Sequence, residues 1–82
     1  MYYVYMLQNP EDGEIYIGYS GDLKRRYKEH QEREHPGWKL VYYEAFLAEK
    51  DARVRERKLK HHGRGVYLLK DRLKESLTER DN

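Results

Sequence analysis

Residues 14–30 read Glu14-Ile15-Tyr16-Ile17-Gly18-Tyr19-Ser20-Gly21-Asp22-Leu23-Lys24-Arg25-Arg26-Tyr27-Lys28-Glu29-His30, and a change of rhythm inside this stretch decides the fold. Ile15 to Tyr19 is β-branched and aromatic, the composition of a strand. Ser20-Gly21-Asp22 is turn chemistry, with Asp22 placed to cap a helix that begins near Leu23. On that helix Leu23, Arg26, Tyr27 and His30 stand at i, i+3, i+4 and i+7, so they share one face. A stripe that packs a helix onto a sheet should be apolar. This one carries a guanidinium and an imidazole one turn apart, directed at the strand that holds Tyr16. Two explanations compete: a functional pair, or an arginine stem lying over the core edge beside a histidine that complements the helix dipole.

Working outward, Tyr2 to Gln8 alternates between Tyr3/Tyr5/Leu7 and Tyr2/Val4/Met6. Neither set is strongly polar, as expected of a strand covered on both faces. Asn9-Pro10-Glu11-Asp12-Gly13 is a turn, and the two strands form a hairpin. Setting Tyr5 opposite Tyr16 pairs Val4 with Ile17, Met6 with Ile15 and Tyr3 with Gly18. That register sorts the sheet into an aliphatic face and a tyrosine face, which a one-residue slip would mix.

Downstream, Pro36-Gly37 closes a polar break and Trp38 to Phe46 reads as a third strand. The next helix has Ala52 and Leu59 as its apolar positions, with Glu56 between them on the inward stripe. A carboxylate there is costly unless it pairs with Arg53, Lys60 or Arg26, or holds a cation. Gly63 and Gly65 interrupt the chain. Val66, Leu69, Leu73 and Leu77 then mark a last amphipathic helix before a polar tail, Glu79 to Asn82. The expected fold is α/β of the α+β kind, in one domain over residues 1–82. A three-stranded antiparallel sheet is flanked by about three helices near 22–33, 49–62 and 65–79, in the order β-β-α-β-α-α.

Eighty-two residues provide one modest core. Charged residues make up 39% of the chain, yet the net charge is only +2, so clustering matters more than the total. Lys24, Arg25, Arg26 and Lys28 form one basic group. Arg53, Arg55, Arg57, Lys58, Lys60, His61, His62 and Arg64 form another. Either alone suits a solvated helix face, but two groups flanking one candidate site favour a polyanionic partner. The absence of cysteine excludes disulfides, a thiolate nucleophile and cysteine-bound metal. No apolar run approaches ~18 residues and no signal-peptide core is present, so a soluble cytoplasmic protein without a membrane partner is expected. Nine tyrosines against one phenylalanine imply polar partners for several phenols.

Tyr3-Val4-Tyr5 on the first strand, Tyr16-Ile17-Gly18 on the second, then Arg26, His30 and a helical Glu56, together resemble a GIY-YIG nuclease domain. The resemblance covers nearly the whole chain. With Arg26-Tyr-Lys-Glu-His30, Lys39-Leu-Val-Tyr-Tyr-Glu-Ala-Phe46 and Ala52-Arg-Val-Arg-Glu-Arg-Lys-Leu-Lys60, it is similar to small stand-alone bacterial members. It also resembles the N-terminal nuclease domain of the excinuclease subunit that makes the 3′ incision in DNA repair. Two departures stand out: Tyr3 replaces the glycine that opens the first motif, and the asparagine that follows the glutamate helix in many members has no clear counterpart. Asp71 lies near the expected distance and Asn82 in the tail.

The resemblance implies a magnesium- or manganese-dependent endonuclease acting on DNA by water attack. Tyr5 and Tyr16 would be the site tyrosines, Arg26 the phosphate-binding cation, His30 a second polar group, and Glu56 the ligand of a single Mg2+ or Mn2+. Either tyrosine is a candidate proton acceptor. Lys24, Arg25, Lys28, Lys60 and Arg64 are candidate nucleic-acid contacts, and a partner protein would supply specificity. Two other classes compete: a nucleic-acid-binding module with an inactive site, and a protein-interaction domain using the tyrosine face.

Overall fold

The computed structural model describes residues 1–61 and 64–78, with the backbone alone for Arg64 and Thr78. The element order is β1 (Tyr2–Gln8), β2 (Ile15–Ser20), α1 (Leu23–Glu29), a π-helical turn (His30–Glu34), β3 (Lys39–Phe46), α2 (Glu49–Lys60), α3 (Arg64–Arg72) and α4 (Lys74–Thr78). The three strands form one antiparallel sheet in the order β2-β1-β3. The central strand is β1, and Val4 through Gln8 are all buried. This explains why both alternating sets of that strand are largely apolar or aromatic.

The hairpin register differs from the expectation by two residues. Tyr5 lies opposite Gly18, Val4 opposite Tyr19, Met6 opposite Ile17 and Leu7 opposite Tyr16. The turn is longer than Asn9 to Gly13 alone, because Glu14 belongs to it. The Asn9 N–H donates to the Glu14 carbonyl at 2.9 Å and the Gly13 N–H to the Asn9 carbonyl at 2.8 Å. Side-chain oxygens of Asn9 and Asp12 accept from the Glu11 and Glu14 amides, and Gly13 takes the left-handed φ of 81° that glycine tolerates best. A slip of two residues leaves each side chain on its expected face. Tyr5 and Tyr16 therefore remain together.

On the aliphatic face, Val4, Met6 and Ile17 pack with Ala52 and Leu59 of α2 and Leu69 of α3. Each fully buried aliphatic side chain contributes roughly 1.5–3 kcal/mol relative to exposure. On the opposite face, Tyr5 meets the end of α1 and the π turn through His30. Asp22 caps α1 as its side chain accepts from the Arg25 N–H at 3.1 Å.

The segment expected to be one helix over 22–33 leaves α geometry at His30, where the His35 N–H donates to the His30 carbonyl at 2.8 Å. The expected last helix is two, α3 and α4, divided at Leu73. The ends expected at residues 62 and 79 fall outside the described residues, as does the tail with Asn82. Among the described residues, no helix is long and apolar enough to cross a membrane.

Candidate active site

Gly18 sets the geometry. A Cβ built at this position would overlap the Tyr5 ring and hydroxyl, and would crowd the Tyr16 ring at 2.9 Å. The glycine is needed for space and not for an unusual backbone angle, because the Tyr5 ring lies across it. Tyr5 is 1% exposed, its ring centroid is 6.2 Å from that of Tyr16, and its hydroxyl is 2.7 Å from His30 Nε2.

His30 is fully buried and its two nitrogens have different partners. Nδ1 lies 3.1 Å from Glu34 Oε1 and 3.0 Å from His35 Nδ1. A carboxylate oxygen accepts, so the partners place the proton on Nδ1 and leave Nε2 to accept from the Tyr5 hydroxyl. Burial, then the positive charge of Arg26, lower the His30 pKa and favour this neutral form. Burial, then proximity to Tyr16, raise the Tyr5 pKa well above the ordinary phenol range against the opposing effect of Arg26. Tyr5 is held as a neutral phenol.

Arg26 projects from α1 beside these groups with a quarter of its side chain exposed, donating to Glu29 at 3.1 Å and paired with Glu34 at 3.0 Å. Burial opposes its charge, but Tyr5, Glu34 and Glu29 outweigh this and raise its pKa. Tyr16 is half-buried on edge strand β2. Its ring packs against His30 at 5.0 Å and His35 at 4.7 Å between centroids. His35 in turn packs on Trp38 at 4.4 Å. Gln31 fixes this wall by donating to the Trp38 carbonyl at 2.6 Å and accepting from the Gly37 amide at 2.9 Å.

Glu56 enters from α2, which covers the opposite face of the sheet. Its carboxylate is one-fifth exposed and pairs with Lys60 at 3.0 Å, the second of the partners expected from sequence. The Lys60 ammonium lies 5.9 Å from the Tyr16 ring centroid, linking Glu56 to the tyrosine face around the β2 edge. Tyr5, Tyr16, Arg26 and His30 are thus assembled directly, and Glu56 is joined through Lys60.

Among the candidate nucleic-acid contacts, Lys24 and Lys28 are exposed on α1 and make no ion pair among the described residues. Arg25 is paired with Asp22 and Glu29. The side chain of Arg64 lies outside the described residues, and Asp71 is exposed on α3. Glu34 and His35 escaped the sequence reading, and Trp38 was read only as the start of the third strand, which begins one residue later at Lys39. The spacing of His30 to Glu34 is visible as i, i+4, but His35 at i+5 falls off that face of an α-helix. Only the π turn returns it to His30.

The GIY-YIG catalytic domain model matches residues 1–70. The solution NMR structure of the UPF0213 protein BH0048 from Bacillus halodurans is similar at 31% sequence identity, over 96% of this chain and 95% of that one, with a TM-score of 0.60. No curated protein sequence matches the chain.

Proposed function

The chain belongs to the GIY-YIG catalytic domain family, a nuclease family, and from that premise we propose that it is a metal-dependent endonuclease hydrolysing phosphodiesters in DNA by water attack. The observation that carries the reading is the convergence of a second phenol, a guanidinium and a buried imidazole on the Tyr5 phenol. Four polar groups of three kinds at one sheet face serve chemistry better than packing.

The two tyrosines differ in environment, and we assign them different roles. The Tyr5 hydroxyl donates a hydrogen bond to His30 Nε2 and is buried, which suits positioning. Tyr16 is half-buried, with the Lys60 ammonium 5.9 Å from its ring centroid and Arg26 nearby. Of the two phenols Tyr16 is the one open to solvent, so we assign it as the group that accepts the proton of the attacking water. Arg26 offers charge-assisted hydrogen bonds to the phosphate. It reaches the phosphate by exchanging Glu34 or Glu29 for it.

Glu56 fits a hard cation, because it presents a carboxylate at the rim whose partner among the described residues is a half-exposed ammonium. It would hold one Mg2+ or Mn2+, which when bound supplies charge to neutralise the phosphate oxygens. The saturation of Arg26 by Glu29 and Glu34 favours a second reading, a nucleic-acid-binding module without catalysis.

Glu56→Gln separates the two. With Glu56 as ligand, the variant keeps its fold and much of its substrate affinity while cleavage of branched, flapped, single-stranded and duplex DNA in Mg2+ or Mn2+ is lost. Absence of cleavage by the wild type, with equal thermal stability of both proteins in metal and in chelator, would select the binding module.

A further inference from the structure

His30 Nδ1, His35 Nδ1 and a Glu34 carboxylate oxygen converge so closely that all three lie within 4.8 Å of one another. Two of the separations are 3.0 and 3.1 Å. A tetrahedral Zn2+ with bonds of about 2.1 Å holds its ligand atoms roughly 3.4 Å apart, so small rotations of the two rings and the carboxylate open the group to the required size. We propose that His30, Glu34 and His35 bind one divalent transition cation, Zn2+ by first preference, at a site separate from Glu56. Two imidazoles and one carboxylate are a borderline-soft set that suits Zn2+ better than the oxygen-seeking Mg2+. The fourth position is left for water or an anionic oxygen.

Three further observations support the assignment. The π turn spends a regular hydrogen-bonding pattern to bring His35 back to His30, and such turns recur at functional sites. Histidine ligands generally donate their second nitrogen to an oxygen that fixes the ring. His30 Nε2 has such an oxygen, the Tyr5 hydroxyl at 2.7 Å. On binding, the imidazole stays neutral: its proton leaves Nδ1 and is carried on Nε2, where it is donated to the Tyr5 oxygen. Finally, access is open, since half of the Glu34 side chain is exposed. Arg26 opposes the ion, because its guanidinium occupies the same Glu34 oxygen at 3.0 Å.

The full chain, stripped with chelator, is titrated with Zn2+ by calorimetry and with Co2+ by visible absorption, beside Mg2+. One Zn2+ per chain, a raised thermal midpoint and ligand-field bands of nitrogen–oxygen coordination are expected. Glu34→Gln and His35→Ala should each weaken Zn2+ at least about tenfold, and Tyr5→Phe should weaken it by about the tenfold typical of an outer partner. Arg26→Met should tighten it, because a competing cation is gone. His61→Ala combined with His62→Ala should leave it unchanged. Glu34 is a surface residue, so its variant remains informative if His35→Ala fails to fold. Binding of less than one ion, unchanged affinity in Glu34→Gln, or affinity lost only with His61 and His62 would overturn the site. These readouts are independent of cleavage, so the cation site stands or falls separately from the nuclease reading.

Discussion

Gly18 and Gly21 lie three residues apart in sequence and should respond to alanine in opposite ways. At Gly18 a Cβ meets the Tyr5 ring, which is buried and hydrogen-bonded to His30 and so cannot swing aside. Overpacking of this kind costs about 1–3 kcal/mol. At Gly21 the first atom a Cβ would meet is Tyr2 Cδ1 at 3.9 Å, an ordinary contact. Gly21→Ala should therefore be neutral or stabilising by up to about 1 kcal/mol through the unfolded chain. Urea denaturation of the two variants checks this, and equal losses would show that Tyr5 does not press on Gly18. The same glycine explains what the sequence concealed. Alternation identifies which side chains share a face, and Tyr5, Tyr16, Arg26 and His30 were legible on that basis. It is blind to a two-residue slip, which turn length and the fit of the Tyr5 ring over a glycine decide. His35 was hidden for a similar reason, since no α-helical spacing brings i+5 back to i.

At the scale of elements, α2 is fastened to β3 by a contact that periodicity treats as ordinary surface. Arg55 Nε donates to both Glu44 oxygens at 2.9 and 3.1 Å, and its Nη2 donates at 2.8 Å. The Tyr42 hydroxyl donates to Glu44 at 2.7 Å. The strands and most of the helix boundaries followed from apolar spacing and turn residues, because these depend on local chemistry. This clamp depends on which of several arginines on one helix meets one acid on one strand. Burial pushes the Glu44 pKa up, but hydrogen bonds from Arg55 and Tyr42 overcome it and hold the carboxyl below its ordinary value. A depressed carboxyl stabilises the fold fully above the unfolded pKa of about 4.3, and its contribution fades as pH falls through the folded value. Glu44→Gln should cost about 1–3 kcal/mol at neutral pH, since the pair is partly buried. The gap between variant and wild type should close on acidification below about pH 4. Denaturant melts at neutral and acid pH measure it, and a gap constant with pH would show that the pair contributes no linkage.

Over the whole molecule, charge pairing changes what the two basic clusters can do. The chain is a slab with principal extents of 37 × 30 × 18 Å. Its tyrosine face carries α1 and its aliphatic face carries α2, so a polyanion seated at Tyr16 and Arg26 meets the α1 cations first. Those cations are unequal. Arg25 is already engaged by Glu29 at 2.7 Å and by Asp22 at 3.7 Å, so contact with a phosphate requires it to exchange one anion for another. Lys24 and Lys28 are exposed and make no ion pair among the described residues, so each can neutralise a phosphate and release a counterion outright. Each such contact contributes about −0.9 to the slope of log K against log salt on duplex DNA, or about −0.7 on a single strand. Lys24→Ala combined with Lys28→Ala should therefore make that slope shallower by about 1.8 on duplex and about 1.4 on single strands. Arg25→Ala should leave it nearly unchanged. Fluorescence anisotropy at several salt concentrations, in chelator to prevent cleavage, measures all three proteins. A slope that changes as much for Arg25 as for the two lysines would mean that the acidic partners of Arg25 yield to phosphate at no cost, and a slope that changes for neither would place the nucleic acid away from α1.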